Sequence, residues 1–187
     1  MPQPDALTRR AGLRVALWLA LVIALPLVPA RAQETAAGYA THDFEWLDEA
    51  RQRQVPVRLY LPDAASAAAP VPLVVFSHGI GGSRQGYSWL GRYWASHGYA
   101  SLHLQHVGSD RSLWFGNPFE LLTRLHGAAR ESEAVARVRD LSFALDQLLK
   151  GKYADRIDTD RIGVAGLSLG GGTTWGLISD RCCVDRR

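Results

Sequence analysis

Hydrophobic and polar positions along the chain predict an alternation of strands and helices. Between residues 55 and 61 apolar side chains alternate with Pro56, Arg58 and Tyr60, the period of two that is typical of a half-buried strand. Pro56 has no N–H for a ladder hydrogen bond, which favours a position near the edge of a sheet. Residues 42–47 precede this segment and are predicted to form another strand.

An unbroken apolar run, Leu-Val-Val-Phe over residues 73–76, indicates a strand that is buried on both faces. Residues 99–105 are predicted to form another buried strand. The intervening residues 84–97 place aromatic and apolar side chains on one side of a helix, and Gly98 is expected to end it. A further strand is predicted over residues 160–165, followed by a helix over residues 171–179.

The clearest helix is predicted over residues 131–149. Its apolar residues recur at spacings of three and four, at Ala134, Val138, Leu141, Leu145 and Leu148. Gly151 follows and closes it. Strand, helix, strand, helix and strand in this order predict an α/β fold, with right-handed crossovers, a mostly parallel sheet and helices on both faces.

Charge is concentrated at the N-terminus of the chain. Residues 1–32 contain four arginines and one aspartate of the 21 basic and 18 acidic side chains, so the remainder is neutral. A neutral body has no broad surface for phosphate groups, which argues against a nucleic-acid partner. The composition, 47% hydrophobic and 21% charged, is that of an ordinary globular protein.

Residues 1–32 have the order of an export signal. Arg9, Arg10 and Arg14 precede an apolar stretch over residues 15–28, and Ala30-Arg31-Ala32 supplies a cleavage site. The apolar stretch is shorter than the roughly 20 residues that span a bilayer. The prediction is a cleaved signal peptide, an exported protein in the periplasm or outside the cell, and no stable membrane span after cleavage. An uncleaved N-terminal anchor is the alternative.

The turn from residue 166 to residue 170 carries the candidate chemistry. Gly166-Leu167-Ser168-Leu169-Gly170 is a G-x-S-x-G sequence between a predicted buried strand and a predicted helix. This is the setting of a nucleophile elbow, in which a sharp turn exposes the serine hydroxyl at the carboxyl end of the sheet. A glycine-rich turn without chemistry is the alternative for such a short motif.

A second glycine-rich segment, residues 77–82, directly follows the strand over residues 73–76. Acyl transfer needs two backbone donors for the negative charge that develops on the carbonyl oxygen. One donor follows the nucleophile and the other lies in a loop after an earlier strand, which points to the N–H groups of Leu169 and Ile80. His78 lies in the same loop and precedes the serine, so it is interpreted as a support for the loop rather than as the catalytic base.

Four parts of the chain carry a resemblance to a known family. They are VVFSHGIGGSRQGYSWLGRYWASHGY (74–99), LQHVGSD (104–110), the helix with Arg139-Asp140-Leu141 and Asp146-Gln147-Leu148, and DRIGVAGLSLGG (160–171). They are similar to platelet-activating-factor acetylhydrolases and to dienelactone-hydrolase-like bacterial esterases. The resemblance implies an α/β-hydrolase fold and hydrolysis of a small-molecule or lipid ester through an acyl-enzyme on Ser168, with no metal or cofactor. Residues 33–187 would then be the N-terminal part of a single α/β-hydrolase domain.

The C-terminal region departs from the family pattern. The family order is serine, then aspartate, then histidine, whereas only 19 residues follow Ser168 and no histidine follows His126. The expectation is a fold that is incomplete at the C-terminus and a chain that is inactive alone, because Ser168 lacks a base. A base within the chain, such as His103, His106 or His126, is a further alternative. So is a non-catalytic α/β-hydrolase-like binding protein, or a fragment that needs a partner chain.

Two other features leave their function open. Residues 108–130 are irregular and aromatic, and are predicted to form a long connection near the mouth of the active site, where the aromatics either pack on the domain or contact substrate. Cys182 and Cys183 are adjacent, a spacing that rarely permits a disulfide between them. The chain has no C-x-x-C spacing, so the sequence gives no support for a zinc or redox site.

Overall fold

The computed structural model describes residues 37–184 of the 187-residue chain. Five strands are present: β1 (Tyr39–Asp48), β2 (Arg53–Pro62), β3 (Val71–Ser77), β4 (Ala100–Leu104) and β5 (Ile157–Gly166). The helices are α1 (Ser88–Ser96), α2 (Leu121–Ala128), α3 (Glu131–Lys150) and α4 (Leu169–Val184). The predicted signal peptide, residues 1–32, lies outside the described residues.

The five strands form one mixed sheet with the order β1-β2-β4-β3-β5. β3 lies parallel to β4 and to β5, whereas β2 is antiparallel to both β1 and β4. The expected α/β sheet is confirmed, with the strands of the helical crossovers parallel, and it is mixed because β1 and β2 are antiparallel to their neighbours. The reason is the short connection between β1 and β2, which reverses the chain with Gln52 at φ 48°. Only the helical connections β3–α1–β4 and β4–α3–β5 return the chain in the same direction.

Helices cover both faces of the sheet, as predicted. α1 packs on one face, where its Gly91 faces the rings of Tyr60 and His103. α3 and α4 pack against each other and on the opposite face. The main apolar core lies beneath α3, whose Leu141 joins buried strand residues. Leu59, Val75, Leu102 and Leu104 are among those strand residues.

β2 is more deeply buried than its alternating pattern indicates. Tyr60, on the face predicted to be polar, is only 2% exposed because α1 covers it. A Cβ atom on Gly91 would lie 2.5 Å from the Tyr60 ring, so the absence of a side chain there permits this close packing. β2 lies one strand in from the edge, which agrees with the position near an edge that Pro56 predicts.

One helix boundary and one segment predicted to be irregular differ from the expectation. α1 begins at Ser88 rather than at residue 84, because residues 83–87 form turns and Tyr87 has a left-handed φ of 57°. It ends just before Gly98, at φ 83°. The segment predicted to be irregular contains short 3-10 helices at Arg111–Trp114 and Pro118–Glu120, followed by α2. The helix α3 and its end at Gly151 agree with the prediction.

β5 is an edge strand among the described residues, although it leads directly to Ser168. It pairs with β3 on one side, and of its ten residues only Ile157 is buried. Trp175 on the following helix is 72% exposed. Within residues 37–184 no helix combines the length and the apolar character that a membrane span requires.

Candidate active site

Ser168 occupies the sharp turn between β5 and α4. β5 ends at Gly166 and α4 begins at Leu169, so one tight bend carries the serine. Its φ is 53°, a left-handed conformation that is strained for a residue with a side chain and that clusters at functional sites. Ser168 is exposed, and the amide of Gly171 donates a hydrogen bond to its carbonyl oxygen at 2.9 Å. These are the features expected of a nucleophile elbow.

The two motif glycines permit contacts that no other residue would allow. A Cβ atom on Gly166 would overlap the carbonyl oxygen of Gly170. A Cβ atom on Gly170 would overlap the carbonyl oxygen of Ser77, and would lie 2.8 Å from that of His78. The G-x-S-x-G spacing therefore reflects close packing of backbone against backbone around the serine.

The loop over residues 77–82 lies beside Ser168 because β3 and β5 are parallel neighbours. Their carboxyl ends meet at the same edge of the sheet, where the Leu167 amide donates to the Ser77 carbonyl at 3.3 Å. A Cβ atom on Gly79 would lie 3.4 Å from the Cβ of Ser168. The structure thus brings together the two segments that the sequence predicts to form one site.

The orientation of the Ile80 amide follows from the hydrogen bonds of the preceding carbonyl. The Gly79 oxygen accepts from His78 Nδ1 at 2.6 Å and from the Gly82 amide at 3.2 Å. Because the peptide is trans, the N–H of Ile80 points away from that oxygen. Among the described residues this N–H has no hydrogen-bond partner.

Leu169 supplies a second candidate donor. As the first residue of α4, its N–H has no partner within the helix, and it lies at the positive end of the helix dipole. Among residues 37–184, the amides of Ile80 and Leu169 thus have no backbone partner, one in the loop beside Ser168 and the other next to it in the chain. An anion near the serine hydroxyl would find hydrogen-bond donors there.

His78 supports the loop through both ring nitrogens. Nδ1–H donates to the Gly79 carbonyl, which leaves Nε2 to accept from the amide of His106 at 3.1 Å. This arrangement requires a neutral ring, and burial lowers the pKa of His78 to about 4. The interpretation of His78 as a support for the loop agrees with these contacts.

A buried polar network behind the loop was not foreseen from the sequence. Ser77 Oγ lies 2.9 Å from His106 Nε2, and His106 Nδ1 lies 3.0 Å from Asp140 Oδ2. Burial lowers the pKa of His106 to about 3, so the ring is neutral. Arg137 contacts the same Ser77 hydroxyl at 3.1 Å and is also fully buried. The available signal was the position of Arg137 and Asp140 on the apolar side of α3, beside Leu141.

The structure brings none of the three alternative histidine bases to Ser168. His106 faces Ser77 and Asp140 as described, and His103 lies on the opposite face of the sheet, among the rings of Tyr60, Phe76 and Trp94. His126 lies on α2. Within residues 37–179 no side chain is hydrogen-bonded to Ser168 Oγ. The same residues contain no group of three or more His, Cys, Asp or Glu side chains that could hold a metal ion.

Trp114 joins the long connection to the glycine-rich loop. Its Nε1–H donates to the Gly81 carbonyl at 2.9 Å, and its ring occupies the space that a side chain on Gly81 would fill. The Gly81 amide also donates to the Ser109 carbonyl at 2.8 Å. The indole packs on the loop yet stays half exposed, whereas Phe119 is 94% exposed. Trp114 therefore packs on the loop, and its exposed part is accessible for contact with substrate.

The sheet is covered by helices on both faces, and the turn from β5 to α4 carries a serine beside a glycine-rich loop. These features define the α/β-hydrolase class. Residues 52–116 match the family described as platelet-activating factor acetylhydrolase, isoform II. The platelet-activating factor acetylhydrolase of Bos taurus is 31% identical, over 58% of this chain and 32% of its own length. The chain has the α/β-hydrolase fold and is similar in sequence to these acetylhydrolases.

Solved structures support the same fold. A ferulic acid esterase from Streptomyces cinnamoneus is 26% identical with a TM-score of 0.64, and the match covers 80% of this chain and 58% of that protein. A dienelactone hydrolase from Anabaena variabilis is 17% identical with a TM-score of 0.54, over 76% of this chain and 59% of its own length. The chain thus spans less than two thirds of the length of each of these proteins.

Proposed function

We propose that this chain carries the nucleophile and the oxyanion hole of a serine-dependent carboxylic-ester hydrolase. The observation that supports it most directly is the exposed, left-handed Ser168, whose Cβ lies 3.4 Å from the position that a Cβ atom on Gly79 would occupy. The likeness to acetylhydrolases and to a ferulic acid esterase supports the choice of an ester substrate, either a small molecule or a lipid. The chemistry needs no metal or cofactor.

The proposed reaction proceeds through an acyl-enzyme. Ser168 Oγ attacks the ester carbonyl carbon, and the N–H groups of Ile80 and Leu169 stabilise the negative charge on the carbonyl oxygen. The bond to the leaving alcohol then breaks, and the alcohol departs with the proton taken from the serine. Water cleaves the acyl-enzyme by the same steps, which releases the carboxylic acid and restores the serine hydroxyl.

We propose that the base for Ser168 is none of the side chains that the structure describes. A serine hydroxyl needs a base to accept its proton, and the described histidines are engaged elsewhere. Among the described residues one side of β5 is unpaired, and a further segment, from the same polypeptide or a second one, that pairs with it would lie beside the strand that leads to the serine. On this proposal the 187-residue chain is inactive alone.

The test compares the chain alone with a completed domain. We would fuse the chain, through α4, to the C-terminal part of the ferulic acid esterase that it does not cover. A fluorophosphonate and p-nitrophenyl acetate would then measure serine reactivity and hydrolysis. We expect labelling of the completed domain to be at least about 100-fold faster than that of the chain alone, because the base contributes a factor of this order or more.

Two serine variants decide the assignment. Ser168→Ala should abolish both labelling and hydrolysis. Ser179→Ala, at an exposed serine on α4, should change neither. Hydrolysis that persists in the Ser168→Ala protein would refute the proposal. Esters of acetate, of longer fatty acids and of hydroxycinnamic acids would then define the acyl group.

The second candidate is a non-catalytic α/β-hydrolase-like binding protein or fragment that functions with a partner chain. The open edge of β5 favours it, because such an edge is suited to pairing with another polypeptide. A single cooperative thermal transition of the 187-residue chain, together with no Ser168 labelling in the completed domain, would favour this candidate. We further propose that the protein is exported, which detection of the mature N-terminus in the periplasm or medium would test.

A further inference from the structure

Arg137 links four separate segments around the candidate site. This arginine of α3 is fully buried, and its Nε donates to Thr173 Oγ1 on α4 at 3.0 Å. Nη1 donates to Ser109 Oγ, in the segment after β4, at 2.9 Å. Nη2 donates to Ser77 Oγ at 3.1 Å and to the carbonyl oxygen of His78. One side chain therefore connects the loop, the helix behind Ser168 and the connection above them.

The contacts of Arg137 are unusual for a buried charge. All four acceptors are neutral oxygen atoms, and no described carboxylate forms a direct ion pair with the guanidinium. Burial lowers its pKa to about 10, so it remains charged at neutral pH. A buried charge without a direct counter-ion is costly, and an apolar side chain at such a position is often at least as stable. Stability alone is therefore a poor explanation of this residue.

The position of the His78 carbonyl suggests a functional explanation. Arg137 fixes this carbonyl, while the next one, on Gly79, is fixed by the His78 ring and by the Gly82 amide. The Gly79 carbonyl sets the direction of the Ile80 N–H, which points the opposite way in the same trans peptide, and the bond to the His78 carbonyl holds the peptide group before it. Loss of the bond from Arg137 would free the His78–Gly79 peptide and, with it, the loop segment that carries the Ile80 N–H.

We propose that Arg137 is a positioning residue for the oxyanion hole, holding the loop so that the Ile80 amide is directed at the oxygen that becomes negative when Ser168 attacks. The inference rests on the proposed function. Its specific content is that Arg137 acts on the transition state through His78 and Ser77 without contacting the ester.

The His106–Asp140 pair fixes the direction of the hydrogen bonds that reach Arg137. Burial alone would raise the pKa of Asp140, but hydrogen bonds from His106 and Arg53 outweigh this effect and lower it, so Asp140 is a carboxylate. It accepts Nδ1–H of His106, whose Nε2 must then accept the hydroxyl proton of Ser77. The lone pairs of Ser77 Oγ are left for Arg137.

This Ser77–His106–Asp140 sequence has the residue types of a catalytic triad but not the access. Ser77, His106 and Asp140 are each fully buried, so no ester can reach the Ser77 hydroxyl. Arg137 also donates to that hydroxyl, which opposes its use as a nucleophile. The network is therefore assigned to positioning.

The first arm of the experiment measures the loop directly. Arg137→Met removes the donors and keeps much of the volume, Arg137→Lys keeps the charge, and Arg139→Met changes an exposed arginine on the same helix. Circular dichroism and thermal unfolding establish which variants fold. We expect exchange of the Gly81 and Gly82 amides to accelerate about tenfold or more in Arg137→Met, and less in Arg137→Lys. Arg139→Met should match the wild type.

The second arm measures catalysis in the completed domain described above. Loss of one oxyanion-hole donor typically costs about 100- to 1000-fold in kcat, so Arg137→Met should lower kcat towards this range with KM changed less than about threefold. Arg137→Lys should recover part of the loss. A residue with only a structural role would not give this separation of kcat from KM or the partial recovery with lysine.

The possible results separate the inference from the proposed function. Unchanged exchange at Gly81 and Gly82 in a folded Arg137→Met protein overturns the inference, as does a change in KM with kcat preserved. If the wild-type completed domain shows no Ser168-dependent reaction, the proposed function fails. The catalytic role of Arg137 then fails too, even when amide exchange shows that Arg137 orders the loop. If Arg137→Met does not fold, the graded loss in Arg137→Lys decides by the same criteria.

Discussion

Val138 of α3 packs directly against Gly176 of α4, and its Cγ2 would lie 2.6 Å from a Cβ atom on that glycine. The two helices therefore approach closely just below the turn that carries Ser168. Position 176 is suited to glycine because of a neighbouring side chain, not because of its backbone conformation. The direction in which α4 leaves the elbow depends on this contact.

A comparison of Gly176→Ala with Gly172→Ala tests the helix contact. A Cβ atom on Gly172 has no neighbour within 4 Å, so Gly172→Ala should stabilise the protein by about 1 kcal/mol through helix propensity. Gly176→Ala gains the same propensity but crowds Val138, which should make it less stable than Gly172→Ala by about 1–3 kcal/mol. Urea unfolding measures both, and equal stabilities would contradict the proposed crowding.

A second pair of glycine variants tests the elbow. Gly170→Ala would push a methyl group into the Ser77 carbonyl, whereas Gly171→Ala would meet its nearest non-local atom at 3.8 Å, an ordinary contact. We expect Gly170→Ala to destabilise the protein by about 3 kcal/mol and to abolish Ser168 labelling in the completed domain. Gly171→Ala should retain the wild-type stability and the labelling of Ser168. A Gly170→Ala protein with wild-type stability would show that the start of α4 does not contact the end of β3.

The sequence predicts the helical crossovers better than the direction of the first strands. An apolar run locates β3, the segment after Gly98 is recognised as β4, and the periodicity of α3 gives its length and its end at Gly151. Periodicity carries no information on strand direction, so the antiparallel β1 and β2 depend on the short turn at Gln52. The burial of Tyr60 likewise depends on Gly91 of α1, a contact between distant parts of the chain.

In the candidate site too, residues in local motifs could be predicted from the sequence, whereas contacts between distant residues could not. Ser168, Ile80 and Leu169 could be proposed because each lies in a short local motif next to a strand. The network around Arg137 could not, because its partners lie up to 60 residues away and share no motif. A charged residue on the apolar side of a helix is the one local sign of it, and that sign does not identify the acceptors.

Asp140 is expected to be one of the most sensitive charges in the protein. It is fully buried and accepts hydrogen bonds from Arg51, Arg53 and His106. Asp140→Asn removes the charge that these donors require, and should destabilise the protein by about 3–5 kcal/mol. Asp158→Asn, in an exposed pair with Arg161, should have little effect, and chemical denaturation compares the two. Similar stabilities of the two variants would argue against the network.

Trp114 is expected to affect substrate selection more than stability. Trp114→Phe keeps an aromatic ring on Gly81 but removes the Nε1–H bond to its carbonyl, and Trp114→Ala removes the surface as well. If the half-exposed indole contacts the acyl group, Trp114→Ala should raise KM for bulky apolar esters by about tenfold, as expected for a lost apolar contact, and leave acetate esters nearly unchanged. Phe119→Ala, at a more exposed aromatic, is the control. Equal effects on both ester classes would assign Trp114 to packing alone.

His103 provides a test of pH-dependent stability. Burial lowers its pKa to about 3, and a contact with the Gly86 backbone opposes this shift only in part. Between this value and the ordinary pKa of 6.5, the unfolded chain binds a proton that the folded protein does not, so stability falls as the pH is lowered from 6.5. The pKa values of His78 and His106 are lowered as well, and the lowered carboxylate pKa values affect stability only below about pH 4.

Replacing His103 with leucine should therefore reduce the slope of the unfolding free energy against pH between pH 6 and pH 4.5, by about 1.4 kcal/mol per pH unit at most. Urea titrations across this range measure the slope, and an unchanged slope would mean that His103 is protonated in the folded protein.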